Sequence, residues 1–535
     1  MNTVTQPRAG RREWIGLAVL VLPTLLVSMD LTVLYLAVPQ LSADLEPSSS
    51  QLLWITDIYG FLIAGSLITM GTLGDRIGRR RLLIIGGAVF GAASVLAALS
   101  TSAEMLIVSR ALLGVAGATL APSTLSLIRN MFHDPHQRTI AIGVWITGFS
   151  TGGALGPVLG GALLEFFWWG SVFLLNVPVM LLLLALAPIL LPEYRDADAG
   201  RLDLPSAALS LTGVLAVIYG LKQIAENGVG WLPAVSIAAG LAVFSVFLRR
   251  QRHLADPLID LQLFRVPAFS ASLATNTLGI FAAFGIFFFT AQYLQLVEGM
   301  SPLRAGIWSL PSSVGFIVGA MLSPMIVRRV RAAYVVAGGL GIAASGFAVL
   351  TQIEAASGLT MLVTGSIILS LGLAPVFTLT TDLIVGAAPP ERAGSAGALS
   401  ETGSEFGGAL GIAVLGSIGA AVYRGKMNDT IPDGVPPEAA ESSRDTLGGA
   451  VGEAGLLPDP LGAELLDAAR EAFVQALQLT AAISGAVMLA TAVMAAVLLR
   501  NVRSGGESED RTGPERDNQR LTALGEPVTQ EEPAA

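Results

Sequence analysis

Glu401 and Glu405 stand four residues apart inside "SAGALSETGSEFGGALGIAVLGSIGAAV", a Gly-rich apolar run from Ser395 to Val422 that is long enough to cross a bilayer. The i,i+4 spacing places both carboxylates on one helix face. A charge at the bilayer centre costs about 3 kcal/mol even on mild scales. No Lys or Arg lies between Arg392 and Arg424 to offset it, so a local ion pair does not explain the two acids. Two kinds of chemistry would. Burial raises a carboxyl pKa and a nearby Arg lowers it, so an acid that alternates between such surroundings takes up a proton in one and releases it in the other. An acid in an apolar cavity is also a counter-ion for a cation. Where proton and cation compete for one carboxylate, exchange follows. Asp30, Asp57 and Arg110 likewise interrupt apolar runs.

The elements that must position these groups follow from composition. Of 535 residues, 53% are hydrophobic and 13% charged, with mean hydropathy +0.67. Soluble domains carry about a quarter charged residues. Apolar segments long enough to span a hydrocarbon core of about 30 Å recur along the chain. The expected class is an all-α polytopic membrane protein; the short alternating segments of a β-barrel are missing. With no cysteine, disulfides, thiolate catalysis and Cys-ligated metals are excluded.

Windows of about 19 residues predict fourteen spans, at 14–39, 51–73, 82–100, 104–128, 139–164, 170–191, 205–224, 232–248, 268–296, 304–327, 332–352, 358–386, 393–423 and 473–499. With the N-terminus inside, connections on the inner side hold 24 Lys and Arg and those on the outer side 6, Lys222 among the latter. By the positive-inside rule both termini are then cytoplasmic. "GGALG" occurs at Gly152 to Gly156 and again at Gly407 to Gly411, and "GDRIGRRRLLIIGG" has an echo in "IVRRVRAAYVVAGG". Both matches pair span n with span n+8, which implies two six-helix halves with spans seven and eight inserted. The expected organisation is a cytoplasmic N-terminus at 1–13, a first half at 14–191, a linker with two inserted helices at 192–250, and a second half at 251–500. An extracellular loop at 424–472 joins the last two spans, and a disordered cytoplasmic tail occupies 501–535.

A rise of about 1.5 Å per residue puts Glu401 near the midplane and Glu405 one turn further out. Asp30, Asp57 and Arg110 fall together in the outer third, where Arg110 is expected either to pair structurally with Asp30 or to take part in coupling. Asp382, close to a helix end, reads as structural. In the fifth span Gly148, Gly152, Gly156 and Gly160 recur every four residues, a smooth stripe for close helix approach, and Pro157 permits a kink. Such a face suits packing, and it equally suits a helix that rocks between the halves. The short loop "GTLGDRIGRRRLL" holds Gly71, Gly74, Asp75, Arg76, Gly78, Arg79, Arg80 and Arg81. Topology accounts for its arginines but not for the acid or the glycines. Asp75 is placed to bind an Arg or a helix N-terminus of a neighbour, as a latch on one conformation. Phe281, Phe284 and Phe288 share a face of the ninth span with Gln292 and Gln295 and could line a cavity, where ring faces attract cations by about 0.5–2 kcal/mol.

Four motifs carry a resemblance. "GTLGDRIGRRRLL" resembles the signature loop of the major facilitator superfamily, and "LIVSRALLGVAGATLAPSTLSLI" its fourth-helix motif. "ITGFSTGGALGPVLGG" resembles the fifth-helix motif of its antiporters. "SMDLTVLYLAVPQL" resembles the first-helix motif of the fourteen-span drug:proton antiporter branch. The resemblance covers about residues 12–500. It implies a proton-driven exporter of quaternary ammonium compounds and other lipophilic cations, in which acids matching Asp30, Asp57, Glu401 and Glu405 handle protons or substrate. Where some multidrug members place an acid after "LPxxxG", this sequence has Phe316, which argues against strong handling of dications.

The implied partners are small lipophilic, often cationic substrates, protons and the lipid bilayer of the cell membrane, with a monomer expected and no nucleic acid. The energy source is the proton gradient, and no cofactor is implied. The alternative within transport is a dedicated exporter of one endogenous metabolite, antibiotic or lipid. An enzyme is disfavoured, because the three histidines bring no paired metal-ligand motif. There is also no G-x-x-x-x-G-K-[ST] loop for ATP.

Overall fold

A computed structural model describes residues 8–195, 203–228, 230–254, 257–259, 261–355, 358–388 and 393–500. The expected disordered tail at 501–535 and the first residues of the N-terminal segment lie outside them. The described residues form helices and no strands. The first group comprises α1 Arg11–Leu45, α2 Ser49–Ile77, α3 Arg79–Ala98, α4 Ala103–Met131, α5 Pro135–Phe166, α6 Ser171–Leu174 and α7 Asn176–Leu190. Next come α8 Leu204–Asn227 and α9 Trp231–Gln251. The last group is α10 Pro267–Gln292 with a π-helical turn at Tyr293–Val297, then α11 Pro302–Val327, α12 Ala332–Leu350, α13 Leu359–Gly386, α14 Ala393–Thr430, α15 Pro437–Asp445, α16 Leu447–Ala454 and α17 Leu461–Leu498.

Local sequence sets many of these boundaries. Ser48, Ser102, Asp134, Asp203 and Ser301 each accept a hydrogen bond from the backbone of the first turn that follows, which satisfies an otherwise orphaned donor. Proline opens α5, α10 and α11, where its missing N–H costs nothing. Inside α5, Pro157 removes a donor and crowds the carbonyl four residues back. The helix bends by 41° between Ile140–Gly153 and Leu155–Phe166.

Thirteen helical stretches among the described residues are long and apolar enough to cross a membrane, α6 and α7 counting together, and bent α5 makes fourteen. The loop boundary expected at 472 falls within α17, which begins at Leu461. The amphipathic "AELLDAAREAFVQAL" is continuous with the last span in the single helix α17, and the loop before it contains α15 and α16.

The two halves repeat one packing plan. In the first, α5 packs on α1, α4 on α2 and α3, and α7 on α3; in the second, α14 packs on α10, α13 on α11 and α12, and α17 on α12. The "GGALG" repeat marks equivalent crossings. A Cβ on Gly152 would strike the carbonyl oxygen of Leu25 in α1, and one on Gly407 would lie 2.6 Å from the carbonyl oxygen of Thr277 in α10. One turn on, Gly156 meets Met29 and Gly411 meets Phe281. At Gly152, Gly407 and Gly411 the facing backbone leaves no room for a Cβ without a shift. Between the halves, α14 packs on α2 and α5 on α11, a matched pair of contacts, while α8 lies against both α2 and α14.

Candidate functional site

A cavity of about 410 Å³ lies between the halves. Ser28, Thr32 and Tyr35 of α1, Thr56 and Asp57 of α2, and Phe149 of α5 line it from the first half. From the second come Asn276, Phe284 and Phe287 of α10, Phe316 of α11, Phe377 and Thr381 of α13, and Glu401, Ser404 and Glu405 of α14. A smaller space of about 150 Å³ shares Thr32, Tyr35, Phe287 and Ser312 and continues past Leu294, Trp308 and Leu362. That end, where α1 finishes and α2 begins, is called the far face here, and the N-terminus marks the near face. Several contacts join the halves at the far face. Gln295 Nε2 donates to Leu36 O at 2.9 Å. Glu165 accepts from Leu303 N at 3.4 Å, and Gly161 abuts Pro302 and Leu303.

Glu401 and Glu405 both border the cavity, and among the described residues neither carboxylate has an ion-pair partner. Close helix contact sets their height. Gly60, three residues after Asp57, brings α2 against Ala409 and the Glu405 backbone of α14, and a Cβ on it would lie 3.2 Å from that of Ala409. Asn276 Nδ2 donates to Ser404 Oγ at 2.8 Å, and Thr380 Oγ1 donates to Asn276 Oδ1 at 3.1 Å. This chain of bonds ties α14 to α10 and α13 beside the two acids.

Asp30 does not line the cavity. It is buried behind it, where Arg110 Nη1 of α4 donates to Asp30 Oδ2 at 2.5 Å. Of the two expectations for Arg110, the structure displays the pair. The guanidinium also donates from Nε to Ile55 O at 3.0 Å and from Nη2 to Thr56 O at 3.5 Å. The Tyr59 ring lies 4.7 Å from it and that of Phe173 5.9 Å. The planar fork of arginine suits such a set of partners, and lysine would not match it.

Asp57 has a partner that the sequence did not disclose. Lys222, counted above among outer-loop cations, is a fully buried residue of α8, and its Nζ lies 2.8 Å from Asp57 Oδ2 and 3.0 Å from Oδ1. The same ammonium sits 3.8 Å from the centre of the Trp54 ring. The inserted helices are therefore more than a linker, since one of them delivers a base to an acid of the cavity wall. A Lys at the polar end of a short span reads as a loop residue. The available signal was its depth, 18 residues after Leu204 at a rise of about 1.5 Å each.

Of the rings of Phe281, Phe284 and Phe288, one lines the cavity. Phe284 faces the cavity, but Phe281 packs its backbone under Gly411 of α14, and Phe288 is buried and turns toward Leu52, Leu53 and Phe473. Phe287 lines the cavity where Phe288 was expected, and Phe316 stands with Phe377, ring centres 6.2 Å apart.

The glycine stripe of α5 faces α1 within its own half and does not face the other half. Gly148 meets Val21, Gly152 Leu25, Gly156 Met29 and Thr32, and Gly160 Val33, also at four-residue steps. The partner half is reached instead through Pro157, whose carbonyl would collide with a Cβ on Gly306 of α11.

In the α2–α3 loop, Asp75 pairs with Arg79 of the next helix, at 2.7 Å from Nε and 2.6 Å from Nη2. Arg80 donates from its backbone to Glu193 Oε1 at 3.0 Å and from Nη1 to Leu191 O at 3.0 Å, beyond the end of α7. Gly78 has φ +112°, a conformation that favours glycine, and Glu193 fills the space beside it. A side chain on Gly74 would crowd Arg79, Gly71 faces open space, and Arg76 is exposed. The partner of Asp75 is thus an arginine at the N-terminus of the next helix, α3, and the partners of Arg80 lie at the end of α7.

The sequence matches the Major Facilitator Superfamily over residues 20–412. It is 42% identical to the multidrug efflux pump LfrA of Mycolicibacterium smegmatis, an alignment that covers 93% of this chain and 99% of that protein. It is 35% identical to the methyl viologen resistance protein SmvA of Salmonella typhimurium, over 90% of this chain and 97% of that one. The tetracenomycin C resistance and export protein of Streptomyces glaucescens is also 35% identical, with 90% and 91% covered. Among solved structures, an inward-facing bacterial homologue of the human lysosomal transporter Spinster superposes with a TM-score of 0.61 at 18% identity, covering 91% of this chain and 98% of that one. A similarity at that identity speaks for the fold alone.

Proposed function

The chain belongs to the major facilitator superfamily, and on that premise we propose that it is a proton-coupled antiporter that exports lipophilic, mainly monocationic drugs by alternating access. It is a multi-pass membrane transporter and not an enzyme. Its curated relatives named above are efflux, resistance and export proteins, which supports a drug exporter at the coarser level.

The observation that carries the finer reading is the pair Glu401 and Glu405, two carboxylates without a basic partner among the described residues, bordering a cavity between the halves. Phe284, Phe287, Phe316 and Phe377 give the same cavity apolar and aromatic walls. A flat lipophilic cation finds there both ring faces and counter-charge. A proton is the competing occupant of the carboxylates. With the near face taken as cytoplasmic, in keeping with the distribution of Lys and Arg, the far-face contacts of Gln295, Glu165 and Gly161 close the outer side, and substrate enters from within. Uptake of protons from outside then discharges it. One proton exchanged for one monocation is electroneutral and follows the pH gradient, whereas a second proton adds about 2.3 kcal/mol per 100 mV of membrane potential. In this scheme the Asp30–Arg110 pair holds α1, α2 and α4 together as one moving unit. The loop at Asp75 and the bend at Pro157 set the positions where helices stop and pivot.

The test is ethidium transport in proteoliposomes under an imposed pH gradient, comparing wild type with Glu401→Gln, Glu405→Gln and Asp30→Asn. Gradient-driven transport is expected in the wild type and is expected to be lost in the Glu405→Gln variant, with the folded protein intact. Undiminished transport in all three variants would remove these acids from the mechanism. Absence of ethidium transport by the wild type would favour instead a dedicated exporter of one metabolite, antibiotic or lipid.

A further inference from the structure

We propose that Trp54 and Asp57 form a cation-binding site that Lys222 of the inserted helix α8 occupies, and that this internal cation limits how many positive charges a substrate can bring into the cavity. The inference rests on the reading of the cavity as a cation pathway. A carboxylate beside the face of a tryptophan is the chemistry by which proteins recognise alkylammonium groups, and here the ammonium belongs to the protein. Lys222 Nζ is 2.8 and 3.0 Å from the two carboxylate oxygens and 3.8 Å from the indole centre, and neither charged side chain has any exposure.

The site adjoins the cavity rather than lying apart from it. Thr56 and Asp57 contribute to the cavity wall, and α8 packs against α2 and α14, the helices that carry Asp57 and the pair Glu401 and Glu405. The two buried bases differ in how they are held. Arg110 is fixed by a carboxylate, two carbonyls and two rings. Lys222 ends a flexible four-carbon stem with a compact charge, a group that can withdraw or be substituted by another cation. While it is in place, Asp57 is compensated, and only the acids of α14 remain as counter-charge. Without it, a third carboxylate faces the cavity, and a dication gains more from that than a monocation does.

The experiment is equilibrium binding of tetraphenylphosphonium, a monocation, and methyl viologen, a dication, to the purified full-length protein. The variants are Lys222→Gln, which keeps a donor toward Asp57, Lys222→Met, Lys222→Arg, and Asp57→Asn/Lys222→Met. Both neutral single variants are expected to raise methyl viologen affinity relative to tetraphenylphosphonium about tenfold, equivalent to about 1.4 kcal/mol. Lys222→Arg is expected to keep the wild-type ratio, and the double variant to lose the gain. A wild type that binds tetraphenylphosphonium, with an unchanged ratio in both neutral variants, would overturn this inference and leave the proposed function standing. No binding of either cation by any form would overturn both. Failure of the neutral single variants to fold, while the double variant folds, would assign the pair a structural role only and likewise overturn it.

Discussion

Replacing Arg110 by Met removes one charge from the most enclosed ion pair of the first half. Arg110 and Asp30 have side-chain exposures of 1% and 5%, and the contact is 2.5 Å. With charge centres about 4 Å apart and an effective dielectric of about 20, the attraction is about 4 kcal/mol. Deleting one partner of a buried pair costs about 3–5 kcal/mol, chiefly because the other charge is stranded. The carbonyls of Ile55 and Thr56 also lose their donor, for about 1 kcal/mol each. Arg110→Met is therefore expected to destabilise the protein by about 5–7 kcal/mol. Asp30→Asn leaves the guanidinium unpaired and is expected to cost about 3 kcal/mol. The double variant carries no buried charge here and is expected to cost about 2–3 kcal/mol, mostly the carbonyl donors and lost packing. The coupling energy is then at least about 5 kcal/mol. Unfolding in mixed micelles, followed by tryptophan fluorescence for the four proteins, yields that cycle directly. A coupling below about 0.5 kcal/mol, the level of independent sites, would refute the argument that the pair holds α1 to α4.

Two further outcomes test the helix contacts and the hairpin. Gly152→Ala puts a methyl against the Leu25 backbone, 3.0 Å from its carbonyl carbon, and is expected to cost about 1–3 kcal/mol. Gly143→Ala in the same helix meets nothing within 4 Å and is expected to be neutral or stabilising by up to about 1 kcal/mol; heat stability of the two variants in detergent compares them. Asp203 caps α8, accepts from Ser206 N at 3.2 Å, and pairs with Arg250 at 3.0 Å. Burial pushes its carboxyl upward, but the hydrogen bonds from Ser206 and Arg250 and the Arg250 charge outweigh this and hold it below its ordinary range. A carboxyl lowered on folding stabilises fully above its unfolded pKa, about 3.9, and loses that contribution as the pH falls below it. Asp203→Ala is accordingly expected to cost about 1 kcal/mol at pH 7, with the difference from wild type shrinking toward pH 3. A difference that grows on acidification would contradict this sign.

The span pattern, the absence of strands among the described residues and the two-fold repeat were legible from the sequence, because hydropathy and close helix crossings are written in local composition. "GGALG" has one physical requirement, a backbone within reach of another backbone, and it meets that requirement twice, at Leu25 and at Thr277. The common height of Asp30 and Arg110 was legible too, since rise per residue fixes depth. Depth does not fix direction around a helix. Phe281 and Phe284 are one turn apart on α10, yet Phe284 lines the cavity and Phe281, whose backbone meets Gly411 of α14, does not. The choice belongs to the neighbouring glycine helix.

The pair of Asp57 and Lys222 marks the same boundary more sharply. The residues are separated by 165 positions, in a second span and in an inserted one, with no motif linking them. By itself the sequence determined that the acids and Arg110 inside the apolar runs must leave water, and at what depth, because helix geometry and the bilayer's intolerance of charge act on each segment separately. Only the tertiary structure decided which of those groups meet, which border the shared cavity, and which base answers which acid. Those outcomes depend on the rotation and approach of helices far apart in the chain, and no single segment encodes them.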